Sequence, residues 1–253
     1  EWGDYHESRE TSNNKQQEGN DPTFADLQTA TRKNNICQII QEPFAVSDTM
    51  KVVDKIGKKD AYARELAYAM RRYKNTQEFA IIRGTKASGS SGVAREMHGI
   101  RNYIVDEGLY TARNSGTSLS ETEFNDMIED SWNITDEYVV DLILTTGKKK
   151  RDISKFTAGN TRNIDAQDKR LVNSISVYES DFGIHEFRAH KDMPTNEVMG
   201  LRKEHCVIAH LRAPKHVPLA KTGSSEKGMI EGETTVEVHG ARAMVLRTGY
   251  NLV

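Results

Sequence analysis

The residues that could do chemistry in this sequence lie around one glycine. Gly147 and Lys148 match the end of a phosphate-binding loop, in which backbone N–H groups and a lysine hold the phosphates of a nucleotide. That motif requires another glycine five residues earlier and Ser or Thr after the lysine, but the chain has Leu142 and Lys149 there. The motif is therefore absent. The basic run 148–151 has two interpretations, a solvated helix start or a contact with nucleic acid.

Two histidine pairs have the side chains of a metal site but not its spacing. His185 and His190 are five residues apart, and so are His205 and His210. In a β-strand an odd separation puts two side chains on opposite faces, where they cannot share one metal ion. Neither pair predicts a metal site, and we expect no metal and no other cofactor.

No nucleophile in the sequence can be matched with a base. Residues 181–183 are Asp-Phe-Gly, as in the kinase metal-binding triplet, but the other kinase motifs are missing upstream. Neither Cys37 nor Cys206 has a spacing that indicates a disulfide or a zinc site. An enzyme therefore has no visible site in the sequence and stays an open possibility. An α/β enzyme built around the apolar run 138–146 is the alternative, and it would need a pocket beside Gly147.

One long amphipathic helix dominates the elements that could position functional groups. Residues 58–83 place apolar and aromatic side chains three or four positions apart, which stacks them on one helix face. We expect Gly84 to end this helix. At 1.5 Å per residue the helix is about 39 Å long, which fits either a rigid strut or an ordinary amphipathic helix packed on a sheet. The residues expected on its core face are Tyr62, Leu66, Met70, Tyr73 and Ile81.

A polar segment near the start of the chain predicts a projecting arm. Residues 6–23 carry no apolar side chain, and such a stretch is unusually long for a loop inside a compact domain. Residues typical of β-strands flank it at 1–5 and 31–46. Two strands with a long polar tip would form an extended arm. A disordered loop that joins the two strands fits the composition equally well.

Short strands and short helices alternate through the rest of the chain. Ser47 is placed to cap a short helix, and Ser120 with Glu123 forms a capping box before another. The stretch 84–92, rich in glycine and serine, predicts a flexible linker at a domain boundary. The other expected elements are a strand buried on both faces at 138–146, a helix after Gly147, a hairpin of 171–179 and 184–190, a strand at 206–211, a connector rich in Pro and Gly at 212–228, and strands at 234–238 and 241–246.

Composition limits the class of protein. With 35 basic and 37 acidic residues the net charge is −2, so no general attraction to nucleic acid follows. There is no run of eighteen apolar residues and no basic leader followed by an apolar run, so we expect neither a membrane span nor a secretory signal. Two widely separated cysteines favour a soluble protein of a reducing compartment.

Several segments of the chain together resemble one protein family. The most specific are LAKTGSSEK at 219–227 and SDFG at 180–183, and the similarity extends over about four-fifths of the chain. Other matching segments are LILTTGKKKRDISKF, FTAGNTRNIDAQDKRLV, VIAHLRAPKHVPLAKTGSSEKG and TTVEVHGARAMV. In these segments the chain resembles the major capsid proteins of tailed bacteriophages with the Hong Kong 97-type fold.

This resemblance implies an α+β fold with a long spine helix. It assigns residues 1–46 to an extended β-hairpin, the E-loop, with its base strands, and 47–115 to the peripheral (P) domain. Residues 116–215 would form the axial (A) domain, and 216–253 would be closing strands that return through both domains. The expected assembly interface at the E-loop tip consists of Asn20, Asp21, Pro22, Thr23 and Phe24.

The function implied by the resemblance is self-assembly, so we expect a structural protein that is not an enzyme. Copies of the chain would form pentamers and hexamers of an icosahedral head shell around packaged double-stranded DNA, with sequence-independent DNA contacts and no membrane. The protein would be part of the virion, assembled in the host cytoplasm, with portal, scaffold, maturation protease and decoration proteins as further candidate partners. A cellular nanocompartment shell of the same fold is the alternative. Because family members carry an upstream segment, we expect one to precede Glu1, either cleaved or outside this sequence.

Overall fold

Eleven strands and five α-helices make up the part of the chain that the structure describes. The computed structural model describes residues 1–4, 13, 15–21, 29–53, 60–117, 119–134, 139–154 and 177–250, with the backbone alone for 113–117. In chain order the elements are β1 (Trp2–Asp4), β2 (Thr31–Lys33), β3 (Gln38–Ser47), α1 (Asp48–Val52), α2 (Ala61–Arg83), α3 (Ile100–Glu107), β4 (Leu109–Thr117), α4 (Glu121–Ile134), β5 (Leu142–Thr145), α5 (Gly147–Ile153), β6 (Val177–Ser180), β7 (Gly183–Ala189), β8 (Val198–Leu201), β9 (Cys206–Leu219), β10 (Ser225–Val238) and β11 (Val245–Tyr250). None of the described helices has both the length and the apolar character that crossing a membrane requires.

The chain divides into two compact units, and each unit is built from separate segments. Unit 1 comprises Glu1–Asn34, Ile104–His205 and His239–Val253, and unit 2 comprises Asn35–Tyr103 and Cys206–Val238. These boundaries differ from the expected domains 1–46, 47–115, 116–215 and 216–253. The difference arises because β3 and β9 both pair with β10, which brings all three strands into unit 2.

A three-stranded antiparallel sheet with the order β3-β10-β9 forms the base of unit 2. Along β3, Ile40, Phe44 and Val46 are buried while the residues between them are exposed or half-buried. This alternation is typical of a strand with one buried face. Helix α2 packs on the sheet through Ala69 and Tyr73, and Ile230 of β10 completes the core.

The expected connector at 212–228 is wrong, because β9 and β10 form a long hairpin there. Their pairing runs from Cys206 opposite Val238 to Leu219 opposite Lys227, with an irregular register near Glu233. Two prolines in the segment suggested a connector, but β9 is one of the two outer strands of the sheet. An outer strand tolerates prolines, since their missing N–H groups can face solvent.

The expected domain boundary at 84–92 is also wrong. This stretch lies wholly inside unit 2 and folds back on the residues that follow it. Ala87 exchanges two backbone hydrogen bonds with Glu96, at 3.1 and 3.0 Å, and Ser90 exchanges two with Val93. The glycines here serve turns, since Gly89 has a φ of +78°, which other residues rarely adopt.

A six-stranded sheet with the order β4-β11-β8-β5-β7-β6 forms the centre of unit 1. Strand β5 runs parallel to β7 and antiparallel to β8. Its successive residues Ile143 and Leu144 are both buried, which confirms a strand covered on both faces, although it is shorter than the expected 138–146. One face packs on α4 through Phe124 and Ile128.

Several local predictions are confirmed by hydrogen bonds. The hydroxyl of Ser47 accepts from the N–H of Met50 at 3.2 Å, and that of Ser120 accepts from the N–H of Glu123 at 3.2 Å. Strands β6 and β7 form the expected hairpin within the described residues, whereas 171–176 lie outside them. The expected strand at 241–246 begins only at Val245, because Ala241–Ala243 form a 3-10 turn.

Candidate assembly site

Strands β1 and β2 pair with each other at the two ends of the polar segment. They are antiparallel, with Trp2 opposite Lys33 and Asp4 opposite Thr31, and they form a two-stranded sheet of their own. The pairing brings together the two ends of the stretch 5–30, as both an arm and a simple loop require. We call this strand pair the arm root.

The two faces of the arm root differ in burial. Asp4 is buried and Trp2 and Lys33 are half-buried, whereas Gly3 and Arg32 are exposed. Since side chains alternate along a strand, Trp2, Asp4 and Lys33 share one face of the pair. This face is turned toward the body of unit 1. A two-stranded sheet of this size is not stable alone in water, so the position of the arm root depends on that buried face.

A tight turn lies near the middle of the polar segment. The N–H of Asn20 donates to the carbonyl of Gln17 at 3.1 Å, and Gly19 supplies a φ of +81°. Asn20 and Asp21, two of the expected interface residues, are exposed. The other three, Pro22, Thr23 and Phe24, lie outside the described residues.

The exposed stretch 15–21 offers only polar chemistry. Residues 15–21 are exposed and carry amide, ammonium and carboxylate side chains. Such groups can form hydrogen bonds and ion pairs with another protein surface, each contributing about 1 kcal/mol or less when exposed. Any contact that these side chains make with another protein is therefore a sum of many weak interactions.

The long helix α2 begins at Ala61 and not at the expected Lys58. Asp60 caps it, because its carboxylate accepts from the N–H of Ala63 at 3.0 Å while its backbone is extended. An extended residue ends the helix in that direction. The predicted end is confirmed at Gly84, whose N–H donates to the carbonyl of Ala80 at 2.8 Å.

Four of the five residues expected on the core face of α2 lie together against the sheet. Tyr73 is buried in the core of unit 2, and Tyr62, Leu66 and Met70 are half-buried against it. Burial raises the pKa of the Tyr73 phenol. The phenol is therefore neutral at any physiological pH.

The fifth expected residue, Ile81, is half-buried and lies outside that core, whereas Ala80 and Ile82 beside it are buried. A step of seven residues from Tyr73 leads back to the same helix face at position 80, while position 81 is rotated by about 80°. Ile82 points the other way and is covered where Gly99 crosses its backbone. The helix end is therefore packed on two sides.

The start of α2 is fixed to the sheet by an aromatic cluster that sequence reasoning missed. The hydroxyl of Tyr62 lies 3.0 Å from Nε2 of His216, and the ring of Phe44 lies 5.2 Å from that of Tyr62. Gly228 makes the room, since a Cβ there would lie 2.7–2.8 Å from all three side chains. Because residues 212–228 were expected to form a connector, the sequence did not predict that His216 lies on a strand.

The opposite face of α2 carries exposed aromatic residues with cations beside them. Tyr68 is 44% exposed and Phe79 is 49% exposed. The guanidinium of Arg71 lies 5.8 Å from the ring of Tyr68, and that of Arg83 lies 5.6 Å from the ring of Phe79. These pairs lie within one helix, so they stabilise it only slightly where exposed.

The basic run at 148–151 is not uniformly solvated. Lys149 is only 1% exposed, and its burial lowers the pKa of the ammonium, partly offset by Asp152. Lys150 donates to the carbonyl of Phe187 at 3.0 Å. Lys149 and Lys150 thus make contacts within unit 1. The run therefore offers less positive charge for a nucleic-acid contact than the sequence indicated.

His185 is bound within the fold of unit 1. Its Nδ1 donates to the carbonyl of Val140 at 2.7 Å, and Nε2 lies 2.7 Å from the hydroxyl of Ser180. A donor at Nδ1 leaves Nε2 of the neutral ring as the acceptor, so both nitrogens have partners. This histidine ties the β6–β7 turn to the start of β5.

Comparison with known proteins identifies the family and the fold of this chain. The sequence model of the family described as SU10 major capsid protein matches residues 1–251. No curated protein matches the chain. Among solved structures, one from Microbacterium phage Oxtober96 has a TM-score of 0.64 at 10% identity, covering 99% of this chain and 83% of that one.

Two further solved structures have the same fold. The capsid asymmetric unit of cyanophage A-1(L) has a TM-score of 0.58 at 10% identity, covering 98% of this chain and 86% of that one. The SrpI encapsulin of Synechococcus elongatus has a TM-score of 0.57 at 11% identity, covering 86% and 75%. At these identities the likeness concerns the fold alone, and that fold is the α+β fold of Hong Kong 97-type capsid proteins.

Proposed function

This chain belongs to the SU10 major capsid protein family, and from that premise we propose how its copies build a shell. Family membership makes it a structural protein of a capsid, and so a component of the virion. We propose that copies assemble in the host cytoplasm as rings of five and six, and that these rings close into an icosahedral head around double-stranded DNA. Repeated head-to-tail contacts form closed rings when the rotation between copies is suitable.

We assign the two compact units to the domains of the fold. Unit 2 corresponds to the P domain, with α2 as the spine helix, because a long helix lies there on a three-stranded sheet. The six-stranded part of unit 1 corresponds to the A domain. The arm root with residues 5–30 corresponds to the E-loop and its base.

The observation that carries this proposal is the arm root. Its two strands bring the ends of residues 5–30 together, and residues 15–21 between them are exposed and polar. The exposed polar side chains at 15–21 bury no apolar area of their own, so their stabilising contacts must come from elsewhere. A neighbouring copy supplies them, with Asn20 to Phe24 at or near the contact.

The first test is whether the purified protein assembles. Sedimentation velocity and electron microscopy across a range of protein and salt concentrations should reveal closed particles of uniform diameter. A protein that stays monomeric under every condition would contradict the proposed function.

The second test removes the arm. Deleting Ser12–Asp21 should leave the circular dichroism spectrum and thermal unfolding close to wild type, because the described residues of this segment have exposed side chains. Shell formation should be lost. Normal particles from the deletion variant would refute the role of the arm while leaving the capsid assignment in place.

The contents of the particles separate the two kinds of shell. Particles from the natural source should hold nuclease-protected double-stranded DNA, and its contact with the shell should be weak and sequence-independent at a net charge of −2. The structural likeness to an encapsulin makes protein cargo the rival result. Portal, scaffold, maturation protease and decoration proteins are further proposed partners, to be sought in the same particles.

A further inference from the structure

The arm root contains a buried carboxylate. Asp4 of β1 is only 3% exposed, although aspartate is almost never fully buried without a partner. Taking a carboxylate out of water is costly, and that cost is offset only by good hydrogen bonds and an opposite charge. Its contacts therefore indicate what holds the arm root in place.

Both oxygens of Asp4 face partners in unit 1. Oδ1 accepts from the backbone N–H of Gly240 at 3.0 Å, and Oδ2 lies 2.6 Å from Nζ of Lys33. The same ammonium also pairs with the carboxylate of Glu107, the last residue of α3. Burial lowers the pKa of Lys33, but its two carboxylate partners outweigh this, so the pKa is raised and the cation is retained.

This network joins three segments that are far apart in the sequence. Asp4 and Lys33 belong to the arm root, Glu107 ends α3, and Gly240 precedes the 3-10 turn Ala241–Ala243. Gly240 has a φ of +57°, a left-handed conformation that sets the direction of its N–H. The ring of Trp2 lies 6.0 Å from that of His239 and extends the contact along the same face.

The other face of the arm root carries a matched but exposed ion pair. Arg32 lies 3.6 Å from Glu1, and their side chains are 86% and 64% exposed. The buried pair joins β1 to β2, and the exposed pair joins the residue before β1 to β2. Only the pair on the buried face also reaches α3 and the turn at Gly240, so only that pair can set the position of the arm relative to unit 1.

We propose that Asp4 is a positioning residue for shell assembly, which fixes the direction in which the arm leaves unit 1 by holding Gly240 on one side and the Lys33–Glu107 pair on the other. The inference rests on the proposed function, in which the arm contacts a neighbouring copy. Residues 5–17 reach at most about 40 Å when fully extended. At that reach a rotation of about 10° at the root moves the tip by roughly 7 Å, more than the length of a hydrogen bond.

The experiment compares variants of the two ion pairs in the full-length chain. Asp4→Ala removes both contacts, and Asp4→Asn keeps the acceptor for Gly240 but not the charge for Lys33. Lys33→Met removes the cation, and Glu1→Gln with Arg32→Gln serves as the matched control. Three quantities are measured: hydrogen exchange of the Gly240 amide, thermal unfolding, and the yield and diameter of particles in the electron microscope.

We expect Asp4→Ala to raise the exchange rate of the Gly240 amide at least tenfold and to abolish shells or scatter their diameters. Asp4→Asn and Lys33→Met should scatter the diameters while unfolding stays cooperative, which separates positioning from loss of the fold. The control variant should exchange and assemble as wild type does.

Shells of wild-type diameter and yield from all three variants would overturn the role of Asp4. In that case, assembly by the wild-type chain and failure of the Ser12–Asp21 deletion would leave the proposed function standing. If the wild-type chain itself does not assemble, the proposed function fails and the role of Asp4 fails with it. If the control variant disrupts shells as Asp4→Ala does, then loss of any charge at the arm root impairs assembly. The specific role proposed for Asp4 is then wrong.

Discussion

Two glycines allow a close crossing of the backbone at the end of the long helix. The N–H of Gly99 donates to the carbonyl of Gly84 at 2.8 Å. A Cβ on Gly84 would lie 2.6 Å from the carbonyl oxygen of Ala80 and closer still to that of Met97. These neighbours are backbone atoms, so they cannot move aside cheaply. Glycine is therefore required here for space.

Gly84→Ala and Gly99→Ala should each destabilise the protein by about 1–3 kcal/mol, because the added methyl group forces the two backbone segments apart. Denaturant unfolding of the variants measures the loss. Gly147→Ala is the control, since a Cβ there meets nothing within 4 Å and helix α5 begins at that residue. Equal stability of all three variants would show that the crossing is looser than described.

His185 gives unit 1 a dependence on pH. Burial lowers the pKa of its imidazole, and the hydrogen bond to the carbonyl of Val140 offsets part of that shift. Unfolded histidine takes up a proton near pH 6.5, while the folded ring does so only at lower pH. The unfolded state therefore binds more protons in this range, and the free energy of unfolding falls as pH decreases through 6.5 toward the folded pKa.

His185→Gln should reduce this loss of stability between pH 7.5 and pH 5, measured by denaturant unfolding at both values. Ile128→Val, a modest change in the same core, should lower stability about equally at both pH values and keep the wild-type difference. A His185→Gln variant with the full wild-type difference would assign the pH dependence to other groups.

At the scale of elements, the spine helix shows which features the spacing of apolar residues predicts and which it does not. Spacing of three and four residues correctly predicted a helix ending before Gly84, with Tyr62, Leu66, Met70 and Tyr73 now found on its packed side. The helix start was predicted at Lys58 and not at Ala61, because Lys58 and Lys59 also favour a helix and so obscure the capping role of Asp60.

The two faces of this helix should respond differently to truncation. Tyr73→Ala should cost about 3–5 kcal/mol of unfolding free energy, because Tyr73 is 1% exposed and its removal leaves a cavity against Ile40 and Phe44. Phe79→Ala on the exposed face should cost less than about 1 kcal/mol. Comparable losses from both variants, measured in urea, would mean that the exposed face is also packed.

The β9–β10 hairpin shows why strands are harder to predict than helices. Pro214 and Pro218 made the segment look like a connector, and nothing local indicates that it is an outer strand. Whether a strand lies at an edge depends on which others pair with it. The buried partners of Asp4 were invisible for the same reason, since Gly240 lies 236 residues away in the sequence.

At the scale of the whole molecule, the fold class was predictable only through resemblance. Composition and charge excluded little, whereas the segments LAKTGSSEK and SDFG pointed to a capsid fold, which the family match over residues 1–251 confirms. The discontinuous units could not be predicted from local patterns. Their boundaries follow from the pairing of β10 with β3 and β9, strands distant in sequence.

The proposed function requires that the arm of one copy gains its stabilising contacts from a neighbouring copy. Polar residues 15–21 are exposed, and the described structure gives them no apolar core of their own. In the proposed shell, the same arm contact would recur at every copy. Contacts that are individually weak then become collectively strong, as linked contacts do when the geometry allows all of them to form together.

Cryo-electron microscopy of assembled particles tests this claim most directly. A reconstruction that resolves the chain should show residues 5–30 of each copy lying on a neighbouring copy, with the arm root held at Asp4 as it is in the single chain. An arm folded back on its own unit 1, in contact with no other copy, would contradict the account.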